Sequence, residues 1–206
     1  MFEDKIPIRS RIMEGLRPTP LKKRITLSLS KMKVQLRRLD NTLHQLEYRD
    51  KKLYDKCVKS LSEKNVAAAT MYANECAEVR KIAKMTLASQ LALERVTLRL
   101  ETVREFGDIA YNMNQAARVV SLIKDNLANI VPEVSSKLDE VNDTLQDLMV
   151  EVGEATESSL TMSSSGEDAE KIFKEASILA EQKLKDTFPE IPQIPTEEPA
   201  GEKLFR

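Results

Sequence analysis

LKKRITLSLSKMKVQLRRLDNTLHQLEYRDKKLYDKCVKSLSEKNVAAATMYANECAEVRKIAKMTLASQLALERVTLRLETVREF, residues 21–106, runs for 86 residues without a glycine or a proline. An ordinary helix has about 11–12 residues, so a stretch this long without a breaker predicts helices of unusual length. Ile25, Leu29, Met32, Leu36, Leu39, Leu43, Leu46, Asp50, Leu53 and Cys57 follow alternating steps of four and three, and nine of the ten are apolar. That spacing makes a narrow, coiled-coil-like seam. Asp50 is the exception, at a position suited to the open end of a packed region or to setting register. A break falls near Leu61–Asn65, where Ser62 is a candidate N-cap with Asn65 three residues on. Beyond it the chain is rich in alanine, which has the best helix propensity and lets two helices approach closely. The second seam reads Val79, Ile82, Thr86, Ser89, Leu93, Val96, Leu100 and Val103. Two helices of about 40 residues with a short connection predict an antiparallel hairpin roughly 60 Å long.

The hairpin places the two cysteines. With its turn centred near Glu63, Cys57 lies opposite about Ala69, and Cys76 lies roughly 10 Å further along the axis. Disulfide Cα atoms must lie within about 7 Å, so no bridge is expected and both thiols read as small core residues.

Outward from the hairpin the chain changes character. Residues 1–20 form a leader punctuated by Pro7, Pro18 and Pro20. Shorter helices are expected over about 108–152. One carries Met113, Ala116, Val120, Ile123 and Leu127, and the next opens at Pro132 with Val134, Leu138, Val141, Leu145, Leu148 and Val152. Residues 21–152 thus read as one helical core, with the hairpin over 21–106. Residues 153–166, half of them Ser or Thr, read as a linker. A distal amphipathic helix is expected over 167–185, with Ile172, Phe173, Ala176, Leu179, Ala180 and Leu184 apolar. A Pro-rich acidic tail occupies 186–206. The fold class is all-α: a long antiparallel helical hairpin, then shorter helices and a Pro-rich C-terminal tail.

Composition removes most catalytic chemistry. The five glycines (Gly15, Gly107, Gly153, Gly166, Gly201) lie far apart, so no phosphate-cradling loop can form. His44 is the single histidine, which excludes a di-iron bundle, and two cysteines cannot build a His/Cys zinc site. No Gly-x-Ser-x-Gly elbow occurs. A non-enzymatic protein without cofactor or metal is expected. No run approaches 18 apolar residues, and residues 1–16 lack the apolar core of a signal peptide. A cytoplasmic location with reduced thiols is expected.

The net charge of −1 is a cancellation. Residues 1–110 carry 23 Lys/Arg and 14 Asp/Glu; residues 111–206 carry 9 and 19. A basic front half predicts an anionic partner surface, and an acidic back half predicts a segment that folds onto the front when that surface is absent. Lys22, Lys23, Arg24, Lys31, Lys33, Arg37 and Arg38 spread over the first helix away from its seam. Each is worth about 1 kcal/mol near an anionic membrane. Nucleic acid could use the same charges, but Phe2 is the only aromatic before Tyr48, leaving little to stack on bases. A merely solvated face is the third reading. Leu87, Leu91 and Leu98 lie off the second seam, a surplus covered either by the shorter helices in a closed monomeric bundle or by neighbouring copies in a filament. The tail, FPEIPQIP at 188–195, holds two overlapping apolar-Pro-x-apolar-Pro units. Such spacing favours a stiff polyproline-like strand whose apolar residues dock into a partner groove, the plainer alternative being an inert spacer.

In order and length these elements resemble the ESCRT-III family, most closely its crenarchaeal CdvB-like cell-division members. The resemblance covers roughly residues 15–195. It rests on the basic first helix, the Ala-rich stretches NVAAATMYANECAEVRK (65–81) and SQLALERV (89–96), the segment YNMNQAA (111–117) and the acidic distal helices. It implies a subunit that polymerises with itself and with paralogous subunits on anionic membrane. Such a subunit takes part in constriction and scission during cell division, peripheral on the inner face of the membrane at the division site. The tail is similar to the family's second type of MIT-interacting motif. That likeness implies that Phe188, Pro189, Ile191, Pro192, Ile194 and Pro195 contact the MIT domain of a partner AAA ATPase, which turns the filament over. The chain ends about ten residues after that motif, so a short paralogue without the winged-helix-like extension is expected. A static coiled-coil adaptor without membrane remodelling is the alternative.

Overall fold

The computed structural model describes residues 21–106, 109–156 and 165–194, the side chains of 103–111, 152–156 and 165–166 excepted. The leader, with Phe2, Ile6 and Ile8, and Pro195 at the end of the tail motif lie outside these residues. Five helices follow one another: α1 (Leu21–Ser62), α2 (Val66–Phe106), α3 (Ile109–Leu127), α4 (Pro132–Thr156) and α5 (Ser165–Thr187). The architecture is all-α, and no strand occurs among the described residues. The helix ends reach into both sides of the 153–166 stretch, because α4 continues to Thr156 and α5 begins at Ser165.

The α1–α2 hairpin closes through a turn in which Asn65 N–H donates to Ser60 O at 2.9 Å and Lys64 N–H to Leu61 O at 3.0 Å. Lys64 takes a positive φ of 57°, the left-handed position that ends many helices and usually falls to glycine. The cap of α2 is Asn65, whose Oδ1 accepts from Ala68 N–H at 3.0 Å. The expectation that Ser62 serves as N-cap is corrected. Ser62 belongs to the last turn of α1, and its Oγ donates to Lys59 O at 2.7 Å. Asn65→Ala is therefore expected to cost about 1 kcal/mol in a urea unfolding experiment, whereas Ser62→Ala is near neutral.

The seam of α1 faces inward as its periodicity requires, with Leu36, Leu46 and Leu53 half-buried. Ile25, Leu29, Met32, Leu39, Leu43, Asp50 and Cys57 are all buried. At the open end of the hairpin α1 and α2 meet α3, α4 and the first half of α5 in one core that includes Leu93, Val96, Leu100, Ile123, Leu138, Leu145, Leu148 and Ile172. Pro132 starts α4, where its missing N–H costs nothing. The α3–α4 corner is pinned by Val131 N–H to Leu127 O (2.8 Å) and Ser135 Oγ to Lys124 O (2.9 Å). α4 lies on α1 and α3, and α5 lies on α2 and α3. Of the surplus leucines, Leu87 and Leu91 pack beside cores and Leu98 stays exposed. Leu179, expected on the apolar side of the distal helix, is exposed together with Ile178.

Both cysteines are free and buried. Cys57 Sγ lies 3.5 Å from Ala69 O, the residue that hairpin geometry places opposite it, and Cys76 Sγ lies 3.9 Å from Asp50 O. Burial raises the pKa of both, that of Cys76 to about 11, so neither is a thiolate near neutrality.

Candidate functional site

The seven basic residues in the first half of α1 fall into two groups. Lys23, Leu27, Ser30, Val34 and Arg37 recur at steps of four and three, which puts them on one face of the helix opposite the buried seam. All five are exposed, Leu27 at 56%. Lys22 is exposed as well. Two cations and two large aliphatic side chains thus share one solvent-facing stripe. A shallow, almost wholly apolar depression lies among Lys23, Arg24, Thr26, Leu27 and Ser30.

The second group is paired with acids. Arg38 Nη1 contacts Glu133 at 2.6 Å, and Lys31 Nζ contacts Glu140 at 3.2 Å. Arg24 contacts Glu151 at 2.6 Å and Asp147 at 3.8 Å. Arg24, Lys31 and Arg38 are spaced by seven, and so are Glu133, Glu140 and Asp147. The spacings run in opposite senses along two antiparallel helices, so one register serves all three rungs. A step of seven is nearly two helical turns, which keeps every rung on the facing edge. Lys33 turns the other way and pairs with Glu101 of α2 at 2.5 Å. The side chains in the ladder are partly exposed, so each pair by itself adds little to stability. Their collective effect is to occupy three cations with the chain's own carboxylates.

α5 repeats the arrangement on α2. Lys84 contacts Glu181 at 2.7 Å, and Arg95 pairs with Glu175. The carboxyls at these junctions are held below their ordinary value of 4.5: Glu140 by Lys137 and then Lys31, Glu175 by Arg95, and Glu181 by Lys84 and then Lys185. A depressed carboxyl contributes its stabilisation above the unfolded value, and the contribution is lost as pH falls through the depressed one. Acidification below about pH 4.5 is therefore expected to loosen α4 and α5 from the hairpin while the hairpin core persists. Amide exchange should rise first in α4 and α5; uniform protection in acid would contradict this.

The tail lies along the hairpin. Phe188 is buried with Leu43 and Ala83, and Ile191 and Ile194 pack beside Cys57, Ala69 and Ala73 near the turn. Pro189 is exposed and Pro192 half-buried. Asp50, the charged exception in the seam, is salt-bridged to Arg80. Asp50 was visible in sequence as an exception; Arg80 was not, because nothing local marks it. Leu27 and Val34 were also missed, although their spacing with Lys23 and Arg37 carries the signal. Among the described residues no His, Cys, Asp or Glu group could hold a metal ion. No helix among them is long and apolar enough to cross a membrane.

These features define a class of protein: an all-helical hairpin whose basic face is charge-paired to its own distal helices. The family model described as Snf7 matches residues 28–199. The chain belongs to the Snf7 (ESCRT-III) family. It is 40% identical over 173 residues to Cell division protein B1 of Sulfolobus acidocaldarius, covering 84% of this chain and 81% of that one. It is 34% identical over 183 residues to Cell division protein B of the same organism, covering 89% of this chain and 70% of the relative. No solved structure matches it.

Proposed function

We propose that this chain is a membrane-remodelling filament subunit that acts in cell division, polymerising with its own copies and with paralogous subunits on anionic membrane at the division site. It does so as a structural subunit and not as an enzyme. The observation that carries the reading is the ladder of Arg24, Lys31 and Arg38 against Glu133, Glu140 and Asp147/Glu151. A cationic face that its own acidic helix covers is suited to a choice between that helix and an anionic surface. The stripe of Lys23, Leu27, Val34 and Arg37 makes first contact, its cations meeting headgroups and its aliphatics the interface. Release of α4 then adds the three ladder cations. A ligand shifts such an equilibrium only by its differential affinity, and anionic lipid supplies it by binding the open form with more cations. Phe188, Pro189, Ile191, Pro192, Ile194 and Pro195 are the contacts for the MIT domain of an AAA ATPase that withdraws subunits. A filament offers many copies of the tail, so a weak single site suffices.

Co-sedimentation with anionic and with neutral vesicles, followed by electron microscopy of the pellets, tests this reading. Filaments on anionic vesicles only are expected, with charge reversal at Arg24, Lys31, Arg37 and Arg38 abolishing the pellet. An unchanged pellet in that variant would remove the membrane arm. The closed bundle, which buries both seams within one chain, favours the second reading, a static coiled-coil adaptor. Light scattering that stays at the monomer value with anionic vesicles present would select it.

A further inference from the structure

A cleft of about 590 Å³ opens between α2, the end of α5 and the residues that follow it. Sites for small ligands commonly hold about 300–1,000 Å³. Four cations line it, Arg80, Lys81 and Lys84 from α2 and Lys185 from α5, against two carboxylates, Glu181 and Glu190. Ala77, Leu184 and Phe188 supply an apolar wall. Ala77, Lys81 and Lys84 are spaced by four and three, so they share one edge of α2.

The four cations are not alike. Arg80 is committed to Asp50, which it holds through Nε at 2.7 Å and Nη2 at 3.0 Å, and its Nη1 donates to Pro189 O at 2.6 Å. Lys84 Nζ lies 2.7 Å from Glu181 Oε2, and Lys185 Nζ lies 3.5 Å from Glu181 Oε1. Two ammoniums, one from each helix, thus flank a single carboxylate, and they hold its pKa below the ordinary value. Lys81 is exposed and has no ion pair among the described residues. Like charges this close on one helix oppose its stability, and Glu181 relieves Lys84 alone of the α2 lysines.

We propose that this cleft binds a small organic phosphate, its multiply charged head held by Lys81, Lys84 and Lys185 and its apolar body laid on Ala77, Leu184 and Phe188. Glu181 shows that two of these cations close on an anionic oxygen. A phosphate ester offers several such oxygens, so it shares those two lysines and also reaches Lys81. Glu190 repels the head and favours its place beside the lysines. The head bridges α2 to α5, so the ligand stabilises the docked α5 by mass action. A free nucleotide and the headgroup of a phosphatidate share this chemistry.

Calorimetric titration of the full chain at physiological salt, with ATP, with monomeric dihexanoyl phosphatidate and with inorganic pyrophosphate, tests the site. One of the two esters is expected to bind saturably at one site per chain, and which one does so identifies the source. Pyrophosphate has no apolar body and is expected to bind about tenfold more weakly. Lys81→Glu changes an exposed residue without an ion pair, so the fold survives it, and it is expected to weaken the ester about tenfold. Lys174→Glu makes the same charge change at an exposed position of α5 about 16 Å before Lys185, and is expected to leave affinity within about twofold. Amide exchange in α5 is expected to slow when the ester binds. No saturable binding of either ester would overturn the proposal. Equal weakening in Lys81→Glu and Lys174→Glu would overturn it as well, since the attraction would then belong to the surface at large. Pyrophosphate as tight as the ester would remove the apolar wall from the site, and unchanged exchange in α5 would remove the bridge.

Discussion

Neutralising Glu133, Glu140 and Asp147 together, as Glu133→Gln, Glu140→Gln and Asp147→Asn, is expected to raise affinity for anionic vesicles roughly thirtyfold at low salt. The three changes remove every rung of the ladder to Arg38, Lys31 and Arg24 except the Glu151 contact. Lys31 and Arg38 are freed for lipid while Arg24 keeps Glu151, and two cations at about 1 kcal/mol each near an anionic surface amount to about one and a half powers of ten. The gain should shrink as salt rises, because these side chains are partly exposed and screened within about 8 Å at physiological ionic strength. The variant also carries three fewer negative charges, which alone favours anionic lipid. The matching control is Asp55→Asn, Glu78→Gln and Asp186→Asn, which changes net charge equally at three exposed positions off the ladder. Vesicle co-sedimentation that rises no further than in this control would show that α4 does not compete with lipid.

The second large effect belongs to the Asp50–Arg80 pair. Arg80→Met leaves the Asp50 carboxylate buried without its cation and is expected to cost about 3–5 kcal/mol. Asp50→Leu should cost less, because Arg80 has an 18% exposed side chain and can carry its head to water along an apolar stem. The double variant Asp50→Leu/Arg80→Met should recover most of the loss, since a buried pair replaced by hydrophobic residues of similar size is often neutral or stabilising. Urea midpoints followed by circular dichroism give all four corners of the cycle, provided that the m-value stays constant. Full stability in Arg80→Met would mean that Asp50 is satisfied without it.

Much of this fold was legible because its signals are local. The seam from Ile25 to Cys57 repeats every three or four residues, and burial followed it at Ile25, Leu29, Met32, Leu39 and Leu43. The opposition of Cys57 and Ala69 follows from a turn near Glu63 and the rise per residue. The cap was misjudged by three residues. Ser62 and Asn65 are both good capping types, and the choice depended on Lys64 accepting a left-handed backbone, which its residue type does not announce. Leu179 sits at a helical spacing that fits the apolar side of α5, yet that edge of α5 faces solvent.

The candidate site was legible only in outline. Charge counting separated a basic front from an acidic back, and the seven cations in the first half of α1 were visible as a set. Their division was not. Arg24, Lys31 and Arg38 differ from Lys23 and Arg37 only in which edge of α1 meets α4. That depends on the register between helices more than 90 residues apart in the chain. Hydrophobic periodicity is a property of consecutive residues and can be read from them, so the sequence by itself determined the helices, the hairpin and the separation of its thiols. An ion pair between distant helices needs their axial offset and rotation, which the packing of the whole core decides. The ladder, the partner of Asp50 and the seat of Phe188, Ile191 and Ile194 on the hairpin therefore emerged only from the tertiary structure.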